Sequence, residues 1–448
     1  MKQKFKSSLV ALIWFWISIL TLGILYLQNV GPKSVGDYEM HMYNTYALAT
    51  GNISNKFDHH ADQFKNAKSV VYGPESILTM NGGDPGYPDQ RVMKPFTRDY
   101  QVDEQLKNNL IPSDLKGVHP VRSQYPSINW LFQAIGFKIG LKLHLSSYNI
   151  WQSARIANLI AFIIVISLSI IIIPQGKWLI SLASSFPLTV FIAASISADS
   201  INISVATLFV SFVMSLREKS YSTSKINKKE IAALMLFVLL FFCLKVAYVP
   251  MLILILVIPN HFFNFKLKTI CIGLAGILSM IYYLVWSKLN ATVLLDIADL
   301  NQNIHYIKTH LIQTIFSLFS FSVNLLPMKL GMAQIDGESF LGPVTFAFIL
   351  ILFAIAFYAN IDKFKILQKL NLKEKVIYGS PLIYAVIAYI GSIMITSASL
   401  LATWTTVYFR TDGPVQALSD VQGFQIRYIL PLIPLLTIMY CLTDNKNK

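Results

Sequence analysis

Apolar residues fall in long runs along this chain, and polar residues gather between them. A membrane-spanning helix needs about 20 largely apolar residues. The first run, Leu9–Leu27, follows the basic start Met1-Lys-Gln-Lys-Phe-Lys6. It is longer than the apolar stretch of a cleaved signal peptide and ends in Tyr-Leu-Gln, so it reads as an uncleaved first span. The basic flank predicts a cytoplasmic N-terminus. A polar stretch then runs from Gln28 to Arg122, too long for a linker. Apolar runs return at Ile156–Ile173, Trp178–Ile196, Ile201–Leu216, Ile231–Pro259, Thr269–Trp286, Pro343–Tyr358, Val376–Leu401 and Tyr428–Leu442.

Two segments decide the count. Ile231–Pro259 is interrupted by Lys245 and Pro250. Read as one helix, it puts the loop Asp362–Lys375 and its five lysines outside. Read as a hairpin turning near Lys245, it puts that loop, Lys266, Lys268, Lys446 and Lys448 inside. The positive-inside rule favours the hairpin of two short passes. Ile128–Leu145 is apolar but broken by Lys138 and Lys142. It reads as an interfacial helix on the outer face, its lysines reaching the headgroups. The expectation is an all-α polytopic membrane protein of about ten transmembrane helices. A first helix at 9–27 is followed by a large extracytoplasmic loop, 28–152, with interfacial helices. A transmembrane core, 153–442, carries a second outer loop, 287–342. Both termini lie in the cytoplasm.

Composition agrees. Of 448 residues 54% are apolar and 13% charged, and mean hydropathy is +0.53. A soluble domain is about a quarter charged, so too few polar side chains remain to coat a soluble surface. The formal net charge of +14 reads as basic cytoplasmic loops rather than nucleic-acid binding. Cys243, Cys271 and Cys441 lie in apolar runs and offer neither a disulfide framework nor zinc-type spacing.

On this map the unusual polar residues fall at one membrane face. Asp37, Glu39 and His41 follow the first span, and Arg155 opens the second at its outer end. Asp199 sits in the outer turn Ser195-Ile-Ser-Ala-Asp-Ser200, Lys245 at the tip of the hairpin, and Gln422, Gln425 and Arg427 before the last span. Ionisable groups at the edges of apolar spans are costly unless paired or solvated, which makes them functional candidates. Each also has a plain structural use. Asp37 and Asp199 would cap helices, Arg155 and Arg427 would anchor helix ends at headgroups, Lys245 would snorkel and His41 would lie on a helix surface. His59-His60 lacks metal-ligand partners at helical spacing. No Gly-rich phosphate loop and no Ser or Cys nucleophile motif is present.

With these motifs in order, the chain resembles the bacterial membrane-protein family designated domain of unknown function 2142. That family is itself similar to the membrane glycosyltransferases of the GT-C fold. The resemblance rests on Gly36-Asp37-Tyr38-Glu39-Met40-His41 with its helix reaching Gly51, then on Tyr125-Pro126 and Gln133-Ala-Ile-Gly136. It continues through Ala154-Arg155-Ile-Ala-Asn158, Phe186-Pro187, Ala194-Ser-Ile-Ser-Ala-Asp199, Lys245-Val-Ala-Tyr248-Val-Pro250 and Gln425-Ile-Arg427-Tyr428-Ile-Leu-Pro431. The family's Asp-Glu-x-x-His element departs here. Tyr38 holds the Glu position and the acid follows at Glu39, about 100° further round the helix.

The GT-C likeness implies an inverting glycosyltransferase. Its donor is a sugar on a polyprenyl-phosphate lipid, its acceptor a glycan or glycolipid, and it works among membrane lipids in cell-envelope polysaccharide or glycolipid modification. It implies Asp37, with Glu39 beside it, as the catalytic base. Arg155, Lys245 and Arg427 would take the phosphate charge. His41, Asp199, Tyr248, Gln425 and Tyr428 complete the substrate-binding set. No cofactor is expected; a divalent cation stays open, since no Asp-x-Asp occurs. Two rivals remain. A lipid-linked glycan transporter or flippase would show mid-span polar residues and a repeat. A non-catalytic envelope-assembly scaffold would show no one-sided cluster, unless it is a degenerate enzyme that keeps one.

Overall fold

The computed structural model describes residues 2–31, 38–51, 53–54, 70–72, 118–120, 125–289, 300–328, 338–403, 421 and 424–442. The fold is helical. After α1 (Lys2–Asn29) and α2 (Tyr38–Thr50), three short antiparallel strands, β1 (Ile53–Ser54), β2 (Val70–Tyr72) and β3 (Val118–Pro120), form a small sheet with Val71 opposite His119. A single 3-10 turn, η1 (Ser127–Trp130), leads into α3 (Leu131–Lys142) and α4 (Ser147–Ile172). Then come α5 (Lys177–Ser184), α6 (Pro187–Ala193), α7 (Asp199–Lys219), α8 (Lys228–Cys243) and the long 3-10 helix η2 (Val246–Val257). The chain continues through α9 (Phe265–Leu289), α10 (Leu300–Thr309), α11 (Leu311–Met328), α12 (Glu338–Ala359), α13 (Ile361–Lys369), α14 (Leu372–Thr403) and a second long 3-10 helix, η3 (Ile426–Cys441).

Among the described residues five helices are long and apolar enough to cross a membrane: Ser8–Asn29, Ser147–Ile172, Asp199–Lys219, Phe265–Tyr282 and Gly379–Thr403. The pair Ala347–Ala359 and Ile361–Lys369, bent by 60°, would make a sixth. Helix α1 shows why these are membrane elements. Ala11, Phe15, Ile19 and Tyr26 face the protein, while Trp14, Ile17, Leu20 and Ile24 are exposed on the other side. An outward apolar face of that size belongs in lipid. Helix α7 is the opposite case. It lies at the centre, buried by α4, α6, α8, η2 and η3.

The run 178–196, expected as one span, is two helices. Pro187 opens α6, and a residue before proline is steered away from the α region. Phe186 accordingly takes φ −65°, ψ 141°, and the helix breaks there. The expected helix at 128–145 is present as η1 and α3. At twelve residues, α3 covers roughly 18 Å, too little for a crossing. It pairs with α4 at Gly136, where an added Cβ would lie 2.2 Å from the Ser153 carbonyl oxygen. The stretch 287–342, expected as a loop, holds α10 and α11. Thr314 and Leu318 of α11 are buried, while Ile312 and Phe316 are exposed.

The expected hairpin at Lys245 is present. The Ile226 N–H before α8 donates to the Phe262 carbonyl beyond η2 at 3.1 Å, so the chain returns to its starting level. The return strand is wound as a 3-10 helix, which rises about 2.0 Å per residue against about 1.5 Å for an α-helix. Asp199 to Arg217 in α7 therefore covers roughly 27 Å. Arg427 to Cys441 covers roughly 28 Å and Lys245 to Val257 roughly 24 Å. The looser winding lets fewer residues match the length of α7. Close packing supports it: at Gly391 of α14 an added Cβ would lie 2.9 Å from the Pro250 ring.

Candidate functional site

Helices α7, η2 and η3 run parallel, because the same residues join them at both ends. At their C-terminal ends Arg217 donates from Nη1 to the Val257 carbonyl at 2.8 Å and from Nη2 to the Cys441 carbonyl at 3.1 Å. At their N-terminal ends lies an ion-pair cluster. Lys245 Nζ is 2.9 Å from Asp199 Oδ1, and Arg427 Nε is 3.1 Å from Asp199 Oδ2. Asp199, Lys245 and Arg427 are 2%, 6% and 2% exposed.

Aromatic rings enclose the lysine. Its ammonium lies 4.2 Å from the Tyr428 ring centre and 5.0 Å from that of Tyr125, cation–π distances. Burial alone would disfavour the charged ammonium; the Asp199 carboxylate and the surrounding tyrosines together offset that cost. The Tyr248 hydroxyl donates to the Tyr428 carbonyl at 3.1 Å and ties η2 to η3. Gln425 precedes Arg427 as the N-cap of η3, with its side chain buried.

The turn before α3 fastens these parts together. Asn129 donates to the Leu244 carbonyl at 3.0 Å, beside Lys245, and its Oδ1 accepts from Asn202 of α7 at 3.1 Å. Gln133 donates to the Ser197 carbonyl at 2.7 Å, two residues before Asp199. Trp130 Nε1 donates to His41 Nδ1 at 3.1 Å, which brings α2 to the cluster. Asp199 lies within electrostatic range of His41.

Of the residues expected from sequence, the structure thus gathers His41, Asp199, Lys245, Tyr248, Gln425, Arg427 and Tyr428. Asp37 and the Glu39 side chain lie outside the described residues. Arg155 lies elsewhere. Its donors reach the carbonyls of Tyr26 at 2.8 Å, Leu27 at 3.3 Å and Val30 at 3.2 Å, the C-terminal end of α1. Its Nε donates to the Ala194 carbonyl at 2.7 Å, just past α6. Orphan carbonyls at a helix end are the normal target of such a cation. No ion pair or hydrogen bond joins it to Asp199 among the described residues. Tyr125, Asn129, Trp130 and Gln133 had not been assigned to the site, although Tyr125-Pro126 and the Gln133 motif were visible in the sequence.

A helical membrane protein with a buried charge cluster at one end of its central helices is the class these features define. The chain belongs to the family described as predicted membrane protein (DUF2142), whose model matches residues 20–436 and so reaches from α1 into η3. No curated protein and no solved structure matches the chain.

Proposed function

We propose that the protein transfers a sugar from a polyprenyl-phosphate carrier to an acceptor hydroxyl at the extracytoplasmic membrane face, in envelope glycan or glycolipid modification. One observation carries this reading. Lys245 and Arg427 sit at the N-terminal ends of parallel helices, where helix dipoles already supply positive charge and disfavour cations. The single Asp199 carboxylate balances one of their two charges, and a phosphate ligand would balance the other. The acceptor oxygen attacks the anomeric carbon, the bond to the phosphate oxygen breaks, and the lipid phosphate leaves with the electron pair. Asp37, four residues before His41, takes the acceptor's proton. Lys245 and Arg427, held in place by Asp199, take up the charge that develops on the phosphate. Tyr248, Tyr428, Gln425 and His41 shape the pocket edge, with Glu39 near the base. Arg155, occupied by carbonyls, is left out.

The topology that goes with this reading has ten passes, both termini in the cytoplasm, and 28–152 outside. It draws support from Lys177, Arg217, Lys268 and Lys363, which meet at the end opposite Asp199. Labelling of intact cells should reach a cysteine in place of Gln90 and miss one in place of Lys225. Labelling at 225 instead would invert the map.

Asp37→Asn tests the activity. Asn caps a helix about as well as Asp, so abundance should hold, while loss of a general base costs on the order of 10²–10⁴ in rate. Surface-glycan composition should change in cells carrying the variant; an unchanged glycan at normal abundance ends the assignment. A second reading, an envelope-assembly scaffold, is favoured by the mutual pairing of Asp199, Lys245 and Arg427, which by itself staples three helices.

A further inference from the structure

We infer that Trp130 locks His41 in the neutral tautomer that carries its proton on Nε2, so that His41 acts in the cluster as a hydrogen-bond donor and not as an acid or a base. The indole N–H is a donor only. It points at His41 Nδ1 over 3.1 Å, so Nδ1 presents its lone pair and the ring's proton resides on Nε2. Adding a second proton would set two N–H groups against each other. Neither partner has room to turn away. Trp130 is 0% and His41 2% exposed, and the ring centres are 6.0 Å apart.

Among the described residues, Asp199 lies within electrostatic range of His41, and its carboxylate is paired with Lys245 and Arg427. From α3, which packs on α2, Lys138 and Lys142 are exposed. The turn Ser127–Trp130 brings no ionisable side chain. Asp37 and the Glu39 side chain are outside the described residues. A neutral imidazole donates one hydrogen bond without adding charge to a place that already holds two cations. It would orient a ligand oxygen, and Trp130 is then a positioning residue that acts through His41. The donor's use rests on the transferase reading; the tautomer does not.

The test is ring ¹⁵N NMR of the full chain in detergent with labelled histidine, from about pH 8 to about pH 5. The His41 signals are assigned by their loss in His41→Gln. The expected spectrum has one bare nitrogen, Nδ1, and one protonated nitrogen, Nε2, throughout. In Trp130→Phe, which keeps the apolar bulk but removes the N–H, His41 should gain a second proton toward the acid end. A wild-type His41 that is doubly protonated near pH 5, or protonated on Nδ1, overturns the inference. So does a Trp130→Phe spectrum identical to wild type. The wild-type measurement decides even where Trp130→Phe fails to fold. A wild-type chain that transfers no sugar would end the transferase reading and leave this result standing.

Discussion

The two ends of the helix group α7, η2 and η3 use the same kind of residue in opposite ways. At the Arg217 end, cations meet backbone. Arg217 serves the last carbonyls of η2 and η3, Lys363 reaches the Tyr440 carbonyl, Lys268 reaches the Ile258 carbonyl, and Lys177 serves those of Ile170 and Ile171. Helix C-termini leave carbonyls unpaired and carry the negative end of the dipole, so cations there need no further explanation. At the Asp199 end, the cations sit against the dipole and are held by a side-chain carboxylate among aromatic rings. The first arrangement follows from helix ends alone, and the second does not. The contrast separates a structural cluster from a candidate site, although both are basic.

The largest effect should come from Asp199→Asn, which keeps the shape and removes the carboxylate. Breaking a buried ion pair by deleting one partner costs roughly 3–5 kcal/mol. Unfolding of the purified protein in detergent should show that loss, and Asp199→Asn with Lys245→Met should recover part of it. A change below about 1 kcal/mol would mean that the pairing does not hold the helices together.

A smaller effect is expected at the other end. Arg217→Met leaves the Val257 and Cys441 carbonyls without their donor, worth about 1–3 kcal/mol. The same unfolding assay should show it, while surface-glycan composition stays normal at matched abundance. Loss of the glycan with normal stability would erase the distinction between the two ends.

Much of this was legible in the sequence. The apolar runs placed the helices, and the lysines of 362–375 implied the turn at Lys245, since apolarity and charge report directly on lipid contact. Pitch was not legible. An apolar run such as Val246–Val257 is equally apolar as an α-helix or a 3-10 helix. The break at Phe186 was hidden because apolar residues lie on both sides of it, although Ser184, Ser185 and Pro187 marked it. Helix α11 was missed because Gln313, Thr314, Ser317 and Ser320 dilute its apolar signal. Within the site, Asp199, Lys245 and Arg427 stood out as ionisable groups at span edges. Where Arg155 would point did not, because carbonyls that lie far off in sequence decide it. Nothing in the sequence marks Trp130 for the site, since only folding brings it to His41.

The most direct test is the binding of a polyprenyl phosphate, without sugar, to the purified chain in detergent. Wild type, Arg217→Met and Lys245→Met are compared at equal helical content. Wild type and Arg217→Met should bind alike. Lys245→Met should bind at least about tenfold more weakly, roughly 1.4 kcal/mol. Equal affinity in Lys245→Met and wild type, or a loss confined to Arg217→Met, would contradict the assignment of the Asp199 end as the site for lipid phosphate.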